Sequence, residues 1–236
     1  MSARAPIILA IDTSDLELAK CWISHTSEYV SVFKLGLEFF LNFGQDGIQA
    51  VTENSDAEIF LDLKLHDIPN TVAHAAESVA SLHPKFLTVH ASGGSAMIAA
   101  AVQAAPQTFI TAVTILTSLS ESDVAAIGFK NNAMLSATHL AQLAVKSGAR
   151  AIVCSPLETA QIRQAVGNEA IIITPGVRPA SMVGTDDQTR TMTPSAAITA
   201  GANYVVIGRP ITNAWEPTGS EISKRAREIA SEILNS

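Results

Sequence analysis

Several charged residues stand inside or directly after apolar stretches of the sequence, where an isolated charge is costly. Lys34 interrupts the apolar stretch 32–36, and Asp62, Lys64 and Asp67 follow the apolar stretch 59–61. Buried charges are tolerated mainly when they are paired, so these two lysines and two aspartates predict an alternating, charge-neutral network. Such networks gather where a reaction needs fixed charge, although a purely structural ion-pair cluster is the alternative interpretation.

Two glycine- and arginine-containing segments nearer the C-terminus could bind an anion. Gly176 precedes Arg178 by two residues, and Gly208 directly precedes Arg209. Glycine allows the backbone to approach an anion closely, and arginine offers it two parallel donors. The polar stretch 181–190 after Arg178 has too few apolar residues to pack well, so we expect it to act as a lid.

Short apolar runs alternate with helix-like segments along the chain. Eight runs predict strands: Ile7 to Ile11, Val30 to Leu35, Glu58 to Leu63, Phe86 to Val89, Phe109 to Leu116, Ala151 to Cys154, Ala170 to Thr174 and Tyr204 to Ile207. Alanine-rich segments with apolar residues at helical spacing predict helices, among them Leu16 to Ser24, Thr71 to Leu82, Ser95 to Ala105, Ala137 to Ser147, Thr159 to Val166 and Ile222 to Leu234.

The order of these elements predicts a (β/α)8 TIM barrel. Strands that are apolar throughout are buried on both faces, as a parallel sheet covered by helices requires. Eight such units fit one domain spanning residues 1–236, because barrels commonly run near ~250 residues. An open doubly wound sheet is the alternative, but residues 11–14 lack the glycine-rich loop that usually follows its first strand.

A barrel enzyme places its chemistry at the carboxyl ends of the strands. The predicted ends carry Asp12, Lys34, Asp62 with Lys64, and His90. Asp62 and Lys64 are two residues apart, so they should face the same side of the third strand, toward the barrel mouth. The two anion-binding segments follow the seventh and eighth strands, where barrels often hold a phosphate. His90 fits a structural histidine equally well, and we predict no catalytic role for it.

The composition excludes several classes of function. A net charge of −7 provides no basic field for nucleic acid or anionic lipid, so any phosphate must be held by a local site. Two cysteines, Cys21 and Cys154, are too few for a disulfide framework or a zinc site and suit a reducing compartment. The run Ile7 to Ile11 is too short for a signal peptide, and no stretch reaches the ~20 residues of a membrane span. We therefore expect a cytosolic protein.

One segment resembles a known family closely. The run from Asp62 to Thr71, DLKLHDIPNT, matches the D-x-K-x-x-D-I-P-N-T signature of the orotidine 5'-monophosphate decarboxylase family. The resemblance covers the chain, because other segments follow in the family's order: Asp12, Phe33 to Gly36, Thr174 to Pro179 and Val206 to Pro210. It implies a carboxy-lyase that converts orotidine 5'-monophosphate to UMP and CO2, the last step of de novo pyrimidine nucleotide synthesis.

The resemblance also implies roles for individual residues. It makes Lys64, Asp62, Asp67 and Lys34 catalytic, and it implies a homodimer in which Asp67 and Thr71 reach the neighbouring subunit's site. The implied substrate-binding residues are Asp12 and Lys34 at the ribose, Thr117 or Ser118 at the pyrimidine, Arg178, Gln188, Gly208 and Arg209 at the phosphate, and also Asp62, Thr71 and Pro175. Arg178 could instead be an ordinary surface arginine, and Thr117 and Ser118 could merely cap the next helix.

Loss of CO2 from the pyrimidine leaves an electron pair in the plane of the ring, where the π system delocalises it poorly. We expect the Lys64 ammonium to stabilise this carbanion and then protonate it, without a cofactor, since the sequence shows no cluster with metal-ligand spacing. The rival enzyme is a related Mg2+-dependent barrel that decarboxylates or condenses sugar phosphates. A rival from another class is a phosphate-ligand sensor that keeps the network for binding alone.

Overall fold

Eight parallel strands close into a barrel in the order β1 to β8, so every strand pairs with its neighbours in sequence and β8 returns to β1. A computed structural model describes residues 4–53, 56–178 and 192–235. The strands are β1 Ala5–Ala10, β2 Val30–Gly36, β3 Glu58–Leu65, β4 Phe86–His90, β5 Phe109–Val113, β6 Ala151–Val153, β7 Ile171–Thr174 and β8 Tyr204–Ile207. The predicted (β/α)8 barrel is confirmed.

Helices cover the outside of the barrel and connect its strands. Within the described ranges they are α1 Leu16–Thr26, α2 Leu37–Thr52, α3 Pro69–Ala80, α4 Gly94–Ala104, α5 Glu121–Ala126, α6 Ala133–Lys146, α7 Thr159–Val166, α8 Pro194–Thr199, α9 Arg209–Thr212 and α10 Ser220–Leu234. None of the described helices combines the length and hydrophobicity that a membrane span requires.

Side-chain alternation divides each strand between two hydrophobic layers. One layer fills the barrel interior with Ile8, Val32, Phe60, Phe86, Ala151 and Ile173. The intervening strand residues, such as Leu9, Leu35 and Leu61, pack outward in the layer shared with the helices. Counting on by two from the interior residues brings Lys34, Asp62 and Thr88 to the inner face near the carboxyl end, so the core's own periodicity positions the site.

The predicted strands all coincide with observed ones, and the differences lie at their ends. The fifth strand ends at Val113 rather than Leu116, and the chain turns at residues 116–119, where the Leu119 N–H donates to the Leu116 carbonyl at 3.1 Å. Helix α2 was not predicted. Gly44 within it has a φ of 59° and kinks the helix, which obscures the 3.6-residue periodicity that would reveal it.

Candidate active site

Four charged side chains from three strand ends meet at the barrel mouth. Lys34 Nζ lies 3.3 Å from Asp12 Oδ1 and 3.5 Å from Asp62 Oδ2, and Lys64 Nζ lies 2.7 Å from Asp62 Oδ1. The two lysines therefore share the Asp62 carboxylate, one on each oxygen. The prediction that Asp62 and Lys64 face the same side toward the mouth is confirmed. Gly36 leaves room for this arrangement, since a Cβ there would lie 3.3 Å from Lys34 Nζ.

The local charges keep Lys34 and Asp62 ionised despite their burial. Burial by itself would lower the pKa of Lys34, but the negative charges of Asp62 and Asp12 outweigh it and the pKa is raised. Burial would raise the pKa of Asp62, but Lys34 and Lys64 outweigh it, and the pKa is lowered. Opposite shifts of this kind are the signature of fixed, mutually stabilised charges.

A bulge in β3 places Lys64. Leu61 pairs with Leu87 and Leu65 pairs with Val89, so the three residues 62–64 lie opposite the single residue Thr88 of β4. Lys64 adopts a positive φ of 49°, a conformation that is uncommon for a non-glycine residue and costs about 1–3 kcal/mol. Alternation along the sequence predicts the side on which Lys64 lies, but it does not predict the bulge, because a bulge depends on the partner strand.

The charged cluster lines a cavity of about 280 Å³ at the mouth. Its walls combine charged residues with an apolar surface from the carboxyl ends of β5, β6 and β8. The lining residues are Ala10, Asp12, Lys34, Phe60, Asp62, Lys64, Val113, Ile115, Leu116, Thr117, Val153, Cys154, Pro175, Gly176, Arg178, Val206, Gly208 and Arg209. A pocket that is apolar on one side and charged on the other suits a flat ring with polar substituents.

Both predicted anion-binding segments reach the same cavity. Arg209 begins α9 directly after Gly208, and a Cβ at Gly208 would lie 3.3 Å from the Ala10 Cβ. Arg178 is 7% exposed, so its interpretation as an ordinary surface arginine is wrong. Its backbone N–H donates to the Met192 carbonyl at 2.9 Å, so the two described residues that flank the segment 179–191 are in contact. The predicted lid and Gln188 fall in that segment and lie outside the described residues.

Two residues were equally good candidates at the pyrimidine end. Thr117 is half-buried and lines the cavity, whereas Ser118 is exposed and does not appear in its lining. The alternative that either residue caps the next helix is wrong. Ser120 is the N-cap of α5, where its side chain accepts from the Asp123 N–H and the Asp123 carboxylate accepts from the Ser120 N–H.

Asp67 and Thr71 lie outside the cavity of their own chain. Asp67 is exposed in the β3–α3 loop, where its carboxylate accepts from the Ile68 N–H at 2.6 Å. Among the described residues no ion pair involves it, so the predicted four-residue network forms here with Asp12 in place of Asp67. Thr71 is exposed in the first turn of α3. Asp67 lies two residues beyond the end of β3, in the short loop that leads into α3, so it does not share the inner face of the strand with Asp62.

Two further side chains, Cys154 and His90, lie at or near the site without a predicted role in it. Cys154 lines the cavity but is buried, and burial followed by the charge of Glu158 raises the pKa of its thiol to about 12. His90 ends β4 as predicted, with its ring 5.4 Å from that of His66, and burial and His66 lower its pKa. Within the described ranges, no three His, Cys, Asp or Glu side chains are placed to hold a metal ion together.

Residues 5–220 match the family described as Orotidine 5'-phosphate decarboxylase / HUMPS family. The chain belongs to this family. It is 51% identical over 225 residues to the orotidine 5'-phosphate decarboxylase of Thermobifida fusca, a match that covers 95% of this chain and 96% of that protein. It is 44% identical over 231 residues to the protein of the same name from Frankia casuarinae, with 91% and 84% covered.

Solved structures of the family share the architecture. The orotidine 5'-phosphate decarboxylase of Lactobacillus acidophilus superposes with a TM-score of 0.82 at 35% identity, over 97% of this chain and 99% of that one. The corresponding enzyme of Pyrococcus horikoshii OT3 gives a TM-score of 0.77 at 25% identity, over 97% and 99%. The barrel of this family member is therefore built like those of proteins named for the decarboxylase.

Proposed function

We propose that this chain decarboxylates orotidine 5'-monophosphate to UMP and CO2, the last step of de novo UMP synthesis, with Lys64 as the proton donor. The observation that carries the proposal is the sharing of Asp62 between Lys34 and Lys64 inside a cavity that Arg178 and Arg209 also line. Family membership and the shared name of the relatives at 40–51% identity support the same reaction.

The chemistry needs a fixed positive charge beside the reacting carbon. When the bond from C6 to the carboxylate breaks, CO2 leaves and the electron pair stays on C6, in the plane of the ring. The Lys64 ammonium stabilises this carbanion, transfers a proton to C6 and becomes a neutral amine, which then regains a proton from solvent. No oxidant or reductant is consumed.

Asp62 and Lys34 hold that ammonium in place. The 2.7 Å contact between Lys64 Nζ and Asp62 Oδ1 orients the donor, and the Lys34 ammonium on the other oxygen keeps Asp62 from moving with it. Charges that are already in position need little reorganisation during the reaction, and this is the main source of electrostatic catalysis. Asp12 pairs with Lys34, and the side chains of Asp12 and Lys34 are both available to bind ribose hydroxyls.

The ends of the substrate fit the remaining lining. The phosphate binds Gly208, Arg209 and Arg178, with Gln188 contributed by the segment outside the described residues. Thr117 and Pro175 contact the pyrimidine, and Thr117 is preferred to Ser118 because it lines the cavity. Binding energy from the distant phosphate then helps to assemble the site for the reaction at the ring.

The active site is completed by a second copy of the chain. Asp67 and Thr71 are exposed and do not line the cavity of their own chain, and the neighbouring Ile68 exposes 65% of its surface. A partner that covers this loop would bury Ile68 together with the two polar side chains. In the homodimer Asp67 reaches the partner's Lys64, and Thr71 reaches the substrate bound in the partner's site.

The two cysteines are free and suit the cytoplasm.

The experiment is an assay of purified protein with orotidine 5'-monophosphate in excess chelator, followed by ultraviolet absorbance. We expect full turnover with chelator and no gain when Mg2+ is added back. Activity that disappears with chelator and returns with Mg2+ would support the related metal-dependent barrel enzyme instead. Tight binding of the nucleotide with no turnover under either condition would support the sensor. UMP formation, confirmed by chromatography, excludes absorbance changes caused by binding alone.

A further inference from the structure

We propose that Thr88 is a positioning residue that closes the β3 bulge and thereby aims both Asp62 and Lys64. The kinetic test of this inference rests on the proposed decarboxylation, whereas the positioning role itself is inferred from the geometry of β3 and β4. Thr88 lies in the middle of β4, faces the barrel interior and is completely buried. It does not line the substrate cavity, so it would act through its neighbours and not on the substrate.

The hydroxyl of Thr88 makes one hydrogen bond to each of the two residues that the bulge must place. It accepts from the Lys64 backbone N–H at 2.8 Å and donates to Asp62 Oδ1 at 3.1 Å. The first bond gives a partner to the Lys64 N–H, which lies where the register shift interrupts the regular hydrogen bonding between β3 and β4. A buried N–H without a partner is costly. The second bond acts on the same oxygen that contacts the Lys64 ammonium.

One hydroxyl therefore ties the backbone of Lys64 to the carboxylate that orients its side chain. The positive φ of Lys64 is an unfavourable conformation, and such conformations persist when surrounding contacts hold them. The bond from Thr88 also helps, after the two lysines, to lower the pKa of Asp62. Removing the hydroxyl releases the backbone and the carboxylate together.

The neighbouring strand supplies a matched control. Thr111 of β5 pairs directly with Thr88, is also completely buried and also belongs to the inner face. Its hydroxyl donates to the Phe109 carbonyl two residues back on its own strand at 2.8 Å and has no bond to the charged cluster. Thr111→Val therefore makes the same chemical change at the same depth, without touching Asp62 or Lys64.

The test compares Thr88→Val, Thr88→Ser and Thr111→Val by kcat for orotidine 5'-monophosphate and by the Kd of UMP. Valine keeps the shape of threonine, so we expect Thr88→Val to fold and to lose roughly 100-fold in kcat, because misplacement by about 1 Å has such an effect. The Kd of UMP should change less than about threefold, since the ribose and phosphate contacts remain. Thr88→Ser retains the hydroxyl and should stay within roughly fivefold of wild type, as should Thr111→Val.

Several outcomes would overturn the proposal. A Thr88→Val enzyme within threefold of the wild-type kcat would do so, and so would equal losses in Thr88→Val and Thr111→Val, which would indicate packing alone. Where valine prevents folding, Thr88→Ala takes its place in the same comparison. Amide hydrogen exchange of the wild-type protein provides a readout without any variant, because exchange of the Lys64 N–H as fast as an unstructured amide would contradict the bond. That readout also separates this proposal from a failure of the decarboxylase assignment, which would appear as an inactive wild-type protein.

Discussion

Lys34 and Asp62 come from neighbouring strands, and their charged atoms lie 3.5 Å apart with 13% of each side chain exposed. The pairing of Lys34 with Phe60 in the sheet places Asp62 one inward position further along β3, so the contact follows from the barrel's register. Neither charge would be stable there by itself. The two are kept ionised by each other and by Lys64, which makes the cluster sensitive to pH and to neutralising substitutions.

The first prediction concerns acid stability. The pKa of Asp62 in the folded protein is lowered below 3.8. As the pH falls, the Asp62 carboxylate is therefore protonated at a higher pH in the unfolded chain than in the folded protein. The stabilisation of the fold by ionised Asp62 is therefore present above about pH 4, and it is lost as the pH falls further, through the pKa of Asp62 in the folded protein. We expect Asp62→Asn to be less stable than wild type at pH 7 and the difference to shrink below that range, as measured by urea denaturation. Asp46→Asn, at an exposed position of α2, should differ little from wild type at any pH. A difference for Asp62→Asn that stays constant down to pH 3 would contradict the lowered pKa.

The second prediction concerns Lys64. Lys64→Ala should reduce kcat by roughly 1000-fold or more, because it removes both the proton donor and the charge beside the carbanion. Circular dichroism should show an unchanged fold, since the side chain is at the mouth and not in the core. Lys146→Ala, an exposed lysine in the last turn of α6, is the control and should keep wild-type activity. An alanine variant within tenfold of wild type would move the chemistry to another residue.

The third prediction concerns the phosphate. Arg209→Ala should lower kcat/KM for orotidine 5'-monophosphate by roughly 10- to 100-fold, the range of a lost hydrogen bond to a charged group. The same variant should hardly change kcat/KM for orotidine, which lacks the phosphate. Arg227→Ala, exposed on α10, serves as the control with both substrates. Equal losses for the nucleotide and the nucleoside would show that Arg209 has a structural role.

The fourth prediction tests the shared site. Lys64→Ala and Asp67→Ala homodimers should each be nearly inactive, because every site in them has one defect. After the two are mixed, unfolded and refolded, about half of the dimers are hybrids in which one site collects both defects and the other none. Activity should therefore recover to about a quarter of wild type. Refolded mixtures that stay inactive, with hybrids shown by mass spectrometry, would place Asp67 in its own chain's site.

Local patterns in the sequence determined the barrel and most of the site's composition. Eight apolar runs and the alanine-rich segments between them specify a covered parallel sheet, because strand burial and helical spacing are visible within a few residues. The same local alternation predicted that Asp62 and Lys64 lie on one side of β3. The segments ending in Arg178 and Arg209 were located by their position after the last two strands.

Only the tertiary structure decided how these residues meet. The bulge opposite Thr88 exists because β3 and β4 pair with a shifted register, and pairing between strands cannot be read from either strand alone. The burial of Arg178 and the exposure of Asp67 depend in the same way on what packs beside each loop. Alternation in the sequence predicts the face of the strand on which a side chain lies. The contacts and solvent exposure of that side chain depend on elements that are distant in the chain.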